Sequence, residues 1–476
     1  MSGLDDTQNS IITAVASDTD TGADDTPLYK TVLYSLGNAA GLITYNVFNT
    51  FIGFFYSDVV ALPATWVGRG LFAFGFWNAI NDPISGWISD RTRSAFGRRR
   101  FYIRALAIPV AIAFALVWLP PLDVREDGAV AVMVYFLVII SIYDLFQSII
   151  TLNQDALFPE LYPEKESRAR SASIRQTIGG IGTGISVAMT PWLYGSFGWS
   201  AVALVWGSLS AVLHLLSLLG IDEHPEFAGE ADPSLREQLR VLAENHIFRI
   251  LIGVNFVSRF ILAVLTQSLP FYAKYVLRID ENQTGWLIAA LTGTGIVSLF
   301  FWQYLFRRWG TRSAMMVSLG LGAIVAIPLM FVQGLTGTLI LLSILGLVVG
   351  GTFFLGPDLL FAELIEEDFV RTGVRREGIY RGLLGFVFRF PNAFAGLILL
   401  QWLASSGYDA DLAVNAQPNA VPEIIRIFMV VGFATAVIAG IVLLWIYPLY
   451  GERLEQVQQR SYEMRAAIKK SAHLSD

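Results

Sequence analysis

The feature that most constrains this chain is a succession of about twelve apolar runs, each about 20 residues long and able to cross a bilayer, separated by short polar or charged stretches. They fall at roughly 31–57, 65–89, 101–121, 129–154, 171–195, 199–220, 248–273, 284–306, 313–333, 338–363, 378–404 and 423–447. The runs predict an all-α polytopic membrane protein. Charged residues make up 15% of the chain, against roughly 25% in an ordinary soluble protein. The chain has no cysteine, which excludes a disulfide framework, a thiolate metal site, an iron-sulfur cluster and a cysteine nucleophile. Its four histidines, His214, His224, His246 and His473, show no metal-ligand spacing.

The first stretch, 1–27, carries Asp5, Asp6, Asp18, Asp20, Asp24 and Asp25 with many Ser, Thr and Gly, and reads as a disordered acidic tail. It lacks the basic start and cleavage site of a signal peptide, so the first apolar run is expected to stay in the mature protein. Arg and Lys concentrate in alternate connectors, at Arg91 to Arg100, Lys165 to Arg170, Arg236 and Arg240, Arg307 to Arg312, Arg371 to Arg376, and the C-terminal tail. Connectors such as Gly195 to Trp199, Gln333 to Gly337 and Ser405 to Pro422 are almost free of them. By the positive-inside rule the basic connectors and both termini face the cytoplasm of a cell-membrane protein. The longest basic connector, 221–247, with a helix-like stretch around Ser234 to Glu244, separates six-helix halves at 28–220 and 248–448, and 449–476 forms a cytoplasmic tail. GWISDRTRSAFGRRR after the second run and QYLFRRWGTR after the eighth form a faint repeat. Two repeated halves around a midplane site is a transporter architecture.

Trp77 to Arg100, WNAINDPISGWISDRTRSAFGRRR, resembles the helix-two signature of the glycoside-pentoside-hexuronide:cation symporters, the melibiose permease family of the major facilitator superfamily. Pro357 to Gly382, PDLLFAELIEEDFVRTGVRREGIYRG, is similar to that family's helix-ten end and following loop. The resemblance covers nearly the whole chain after the acidic tail. It implies a twelve-helix fold, alternating access and a sugar-like substrate coupled to sodium or a proton.

Asp82 falls near the middle of the second run, where a lone charge costs at least ~2.5 kcal/mol, so it should face the bundle interior. Asn78 lies one turn earlier on the same face, and Ser141 and Asp144 on the fourth run sit three residues apart. Asn78, Asn81, Asp82, Ser141 and Asp144 together supply oxygens to a small cation or accept a proton. The plainer reading gives Asp82 only a capping role at Pro83. In the sodium-coupled permeases that this segment resembles, an acidic residue stands where Asn78 is. Losing one carboxylate weakens an oxygen-ligated cation site more than a single protonatable group, so a proton is favoured over sodium, with sodium at Asp82 as the other option.

Tyr45, Asn46 and Asn49 line the first run at helical spacing and suit a neutral polyol, or serve interhelical contacts. The resemblance places Arg175 where the family has a sugar-contacting Arg, with a snorkelling Arg as the alternative. It also places Arg389 where the family often has a Lys near the cation site, expected to pair with Asp82 or Asp144. Gly75 stands where sugar-binding permeases carry an Arg, and the acid expected around Asn38 to Leu42 is missing. Asp90, Arg91, Gly97 and Arg98 match the superfamily's cytoplasmic loop signature, a gate whose partners are expected among Asp155, Glu160, Asp358 and Glu363. The expected function is cation-coupled symport of a sugar or glycoside, without enzyme activity, cofactor or nucleic-acid partner, by a monomer in the lipid bilayer. The alternatives are a carrier of amphipathic lipids and, from another class, a transport-inactive membrane sensor. The tail Glu452 to Ala472 reads as an amphipathic surface helix.

Overall fold

The structure, a computed structural model, describes residues 26–91, 97–221, 245–374 and 376–472. It contains no strand among these residues. The side chains of Asp82, Asp90, Arg91 and Arg98 and the connector 222–244, with the helix expected at Ser234 to Glu244, lie outside the described set. Six helices form the first half: α1 (Leu28–Phe54), α2 (Ala64–Arg91), α3 (Arg98–Trp118), α4 (Ala129–Leu161), α5 (Lys165–Phe197) and α6 (Trp199–Ser217). The second half has α7 (His246–Phe271), α8 (Glu281–Val297 and, past a 44° bend, Leu299–Trp309) and α9 (Thr311–Ala326). It continues with α10 (Leu335–Phe354, then Gly356–Thr372), α11 (Glu377–Val387, then Phe390–Ser405) and α12 (Ala420–Ile427 to Phe433–Ile446 through a π turn). Several helices outrun the apolar stretches that predicted them, because a helix continues past the hydrocarbon for as long as its backbone stays paired. α4, for example, runs on to Leu161 and α5 starts at Lys165.

Eight of these helices, or nine with bent α8 counted as one, are long and apolar enough to cross a membrane. The remaining three, α1, α2 and α5, fall short in apolarity because Asn, Ser, Thr, Gly and charged residues interrupt their apolar runs. The least lipid-like helices are therefore the ones to search for a site.

The halves repeat one another in backbone detail. α1 and α7 both end in a π turn, at Phe55–Val59 and Tyr272–Leu277. Each turn is followed by a non-glycine residue with positive φ, Ala61 at 59° and Arg278 at 53°. Gly97 before α3 and Gly310 before α9 take φ of 91° and 76°, a region where only glycine escapes the Cβ clash. These two glycines sit in the repeated Arg-rich segments, so the faint sequence repeat corresponds to a repeated turn.

Close packing carries the bundle where apolar burial cannot, since lipid is as apolar as the core. Gly179 and Gly182 bring α5 onto α1, facing Leu42 and Ile43. At Gly346 on α10 an added Cβ would lie 2.2 Å from the Leu291 carbonyl oxygen of α8. Gly to Ala inside a helix ordinarily gains up to about 1 kcal/mol, but a backbone carbonyl cannot rotate away and overpacking costs about 1–3 kcal/mol. Gly346→Ala is therefore expected to lower the thermal midpoint of the detergent-solubilised protein. An unchanged or raised midpoint would contradict this account of the α8–α10 contact.

The start of α1 and the end of α12 lie at one end of the bundle, here the terminal end. Among the described residues, the hydrogen bonds and ion pairs that join the halves lie from mid-depth to the opposite, far end. They include Arg389 with Asn78, Gln401 with the Thr65 carbonyl, Ser196 with Asn282, and Arg125 with Asp411. Ring contacts between halves follow the same rule, with Phe54–Phe271, Phe72–Phe394 and Phe76–Phe390. The described bonds between the halves thus lie from mid-depth to the far end.

The tail forms a helix, α13 (Gly451–Ala472), which packs along the terminal part of α10, with Arg465 placed 3.4 Å from Glu366. One face of the expected surface helix is thus occupied by protein.

Candidate functional site

At mid-depth α2 presents Asn78 and Asn81, three residues apart and on one face, toward Asp144 of α4. The Asn78 Nδ2 donates to Asp144 Oδ1 at 2.7 Å, and the Asn81 Nδ2 donates to Asp144 Oδ2 at 2.9 Å. Ser85 donates to Asn81 Oδ1 at 3.2 Å. From the other half, the Arg389 guanidinium donates to Asn78 Oδ1. Asn78 therefore bridges a carboxylate in one half and a cation in the other. Arg389 reaches inward because α11 breaks there, between Val387 and Phe390.

This cluster forms one wall of a cavity of about 40 Å³ between the halves, room for a few waters. α1 contributes Tyr45 and Asn49, α4 adds Tyr143 and Gln147, α7 adds Gln267, and α11 adds Asn392 beside Arg389. Gln147 lies against bare α1 backbone at Gly41, where a Cβ would stand 2.7 Å from its Nε2. Its Nε2 donates to Thr151 at 3.1 Å, and its buried Oε1 has no partner among the described residues. Gln147, Tyr143, Gln267 and Asn392 escape the sequence reading because amides and tyrosines in apolar runs also serve as interhelical contacts, and nothing in their spacing separates the roles.

Of the expected site residues, the structure brings Asn78, Asn81 and Asp144 into direct contact and sets Tyr45, Asn49 and Arg389 on the cavity. Asp82 lies one turn after Asn78 on the α2 backbone, its side chain outside the described set. Ser141 is not among the cavity-lining residues. Asn46 turns to α5, donating to Thr183 at 3.3 Å and to the Leu42 carbonyl at 2.8 Å. Arg175 sits nearer the terminal end, paired with Asp155, donating to Asn38 Oδ1 at 3.0 Å and facing the Phe158 ring at 5.5 Å. It ties α5 to α4 and α1 and is not on the cavity wall.

Of the loop signature, Gly97 is the described member, and it starts α3 with its positive φ. Three of the acids expected to serve that gate have partners in their own halves. Glu160 pairs with Arg99 at 2.5 Å, Asp155 with Arg175, and Glu363 accepts from Thr311 at 2.6 Å.

The far end holds a junction that the sequence did not single out. Asp58, in the π turn after α1, has a side chain shielded from solvent. It accepts from Lys274 and Tyr275 in the π turn after α7, and from Tyr408 beyond α11 at 2.8 Å. Charges at the ends of apolar runs ordinarily mark the water interface, which is why Asp58 and Lys274 gave no signal.

A family model described as MFS/sugar transport protein matches residues 33–451. An uncharacterised symporter of Synechocystis is 24% identical, over 87% of this chain and 93% of its own. The isoprimeverose transporter of Lactiplantibacillus pentosus is 24% identical, over 85% of this chain and 86% of its own. Among solved structures, a bacterial homologue of the human lysosomal transporter Spinster, in an inward-facing occupied conformation, superposes with a TM-score of 0.67 at 16% identity, covering 90% of this chain and 97% of that one. That likeness establishes the fold.

Proposed function

From the premise that this chain belongs to the MFS/sugar transport protein family and is a membrane transporter, we propose that it performs cation-coupled symport of a sugar or glycoside by alternating access, with a proton as the coupling ion. The observation that carries the reading is the Asp144–Asn78–Arg389 chain, which spans both halves beside the cavity. A carboxylate linked to the opposite half lets ion loading bias the equilibrium between two conformations, since the ion changes the charge that the other half's cation faces. Asp82 and Asp144 are the groups that take the ion. Arg389 remains charged throughout and acts as counter-ion, never as proton carrier. Asn78 in place of a further acid favours a proton, because one fewer negative ligand penalises a hard metal cation most.

The substrate then binds where Tyr45, Asn49, Gln147, Gln267 and Asn392 converge. Amides match hydroxyls as donors and acceptors, and the Gln147 Oε1 is available to accept. A cavity of about 40 Å³ is too small for a glycoside, so binding accompanies movement of the halves. Both termini and the basic connectors face the cytoplasm in this reading, and the junction at the far end closes the external side.

The test is uptake of labelled glycosides and monosaccharides into proteoliposomes under an imposed proton or sodium gradient. Accumulation driven by the proton gradient alone is expected, and accumulation driven by sodium alone would reverse the ion assignment. Asp82→Asn is expected to abolish accumulation against a gradient while exchange of substrate across the membrane continues. Unchanged accumulation in that variant would remove Asp82 from the mechanism.

A further inference from the structure

The second half departs from the first at the connector between its last two helices. In the first half Gly198 alone separates α5, which ends at Phe197, from α6, which starts at Trp199. In the second half α11 ends at Ser405 and α12 starts at Ala420. The intervening segment, 406–419, lies at the far end and has only a short 3-10 turn of its own, Val414–Ala416. Loops of about this length are uncommon in a compact bundle and usually have a role.

The segment is internally tied. Gly407, at φ 79°, turns the chain off the end of α11. Gln417, a buried amide in a mostly exposed stretch, then holds the two limbs together. Its Nε2 donates to the Asp409 carbonyl and, at 3.1 Å, to the Leu412 carbonyl, while its Oε1 accepts from the Asp409 N–H at 3.3 Å. One side-chain amide thus closes a ring with the Asp409 backbone and meets groups that a loop otherwise leaves to water. Asp409 Oδ1 in turn accepts from the Asp411 N–H at 3.0 Å.

The residues on either side of Asp409 are the ones that reach the other half. Tyr408 donates to Asp58 Oδ1 at 2.8 Å, and its ring meets Tyr275 edge-on with centroids 5.6 Å apart. Asp411 pairs with Arg125, which stands on the small helical turn Val124–Asp127 between α3 and α4, N-capped by Asp123. A pair as exposed as Arg125–Asp411 contributes little by itself, but it marks where the segment lands.

We propose that 406–419 is a preformed lid carried by the second half, which closes the far end by seating on the first half at Asp58 and Arg125, with Gln417 as the positioning residue that sets its shape. The two landing points belong to different elements, the turn after α1 and the α3–α4 connector, so the lid spans more than one helix of the opposite half. Without Gln417, Tyr408 and Asp411 must be ordered each time the lid seats, an entropic cost that falls on the far-end-closed state alone. Opening at the far end then requires this segment to lift as well as the helices to part. The inference rests on the alternating-access part of the reading above, and on neither the sugar nor the proton.

The experiment uses the full chain in membranes, which has no native cysteine. Cysteines replacing Arg125 and Asp411 are treated with a short bifunctional thiol reagent, and the joined peptides are measured by mass spectrometry. The pair is expected to join rapidly, and Gln417→Leu, which keeps the bulk and removes the hydrogen bonds, should slow joining at least about threefold. Gln417→Glu, which keeps the acceptor and loses the Nε2 donor, should fall between. In a separate chain carrying Ile52→Cys, on the cavity wall, Gln417→Leu should raise labelling from the far end by an impermeant thiol reagent by a similar factor. No joining with Gln417 in place would overturn the lid and leave alternating access standing. Equal joining in both Gln417 variants and their parent would overturn the role of Gln417. Slower joining with unchanged labelling would show a segment that seats without controlling access, which also overturns the lid. Absence of labelling in every variant, Asp58→Asn included, would overturn alternating access at the far end and the lid with it.

Discussion

Asp58→Asn is expected to raise the labelling rate of a cysteine placed at Ile52, on the cavity wall, by a membrane-impermeant thiol reagent added from the far end. The chain has no native cysteine, so the introduced thiol reports without background. In the far-end-closed conformation the Asp58 carboxylate is shielded from water and accepts hydrogen bonds from Lys274, Tyr275 and Tyr408 of the other half. Each hydrogen bond to a charged group contributes about 1.5–3 kcal/mol. An amide at position 58 removes the charge and leaves the Lys274 ammonium without its counter-ion only while the halves are joined, because opening returns it to water. The sign is therefore fixed, and loss of one such bond is enough to shift the equilibrium about tenfold toward far-end opening. Tyr408→Phe, which removes one neutral donor, should give a smaller rise. Equal labelling in Asp58→Asn, Lys274→Gln and the parent would show that the junction does not hold this state.

Asp144→Asn is expected to reduce gradient-driven accumulation by at least about a hundredfold and to lower the amount of folded protein recovered from membranes. The carboxylate accepts from the Asn78 and Asn81 amides on separate oxygens. An asparagine there accepts on one oxygen and opposes the second amide with its own NH2, so a buried donor goes unmet at about 1–3 kcal/mol. It also removes a negative charge from a buried cluster that includes Arg389, and breaking such a cluster from one side costs about 3–5 kcal/mol. The double variant Asp144→Asn with Arg389→Gln restores the charge sum. It should recover folded protein toward the parent level without recovering accumulation, since the ion site stays neutral. If the double variant is recovered no better than Asp144→Asn alone, the two charges are not energetically coupled.

The residues of the buried Asp144 cluster were legible for a specific reason. Asn78, Asn81 and Asp144 are polar or charged groups deep inside apolar runs, where the cost of burial demands a partner, and Asn78 and Asn81 share one helix face by spacing alone. The family resemblance marked Arg389. Helical spacing named Asn46 and the resemblance named Arg175, and the structure places both away from the cavity, in contacts of α5 with its neighbours. Within one helix the 3.6-residue period says which residues share a face, but not which way that face is turned.

By itself, then, the sequence determined the all-helical class, the succession of apolar runs and the short set of polar residues within them from which a site is proposed. These follow from local physics: apolar length against bilayer thickness, basic connectors against apolar ones, and the price of a charge in hydrocarbon. Tertiary structure decided the pairings. It brought Asp144 of α4 to two amides of α2 and set Arg389 on Asn78 through a break in α11. It also turned Asp58 and Lys274, placed at run ends like ordinary interface charges, into a buried contact between the halves. Those outcomes depend on the rotation, tilt and breaks of helices packed against one another, which are set by the sum of many side-chain contacts and by no single motif.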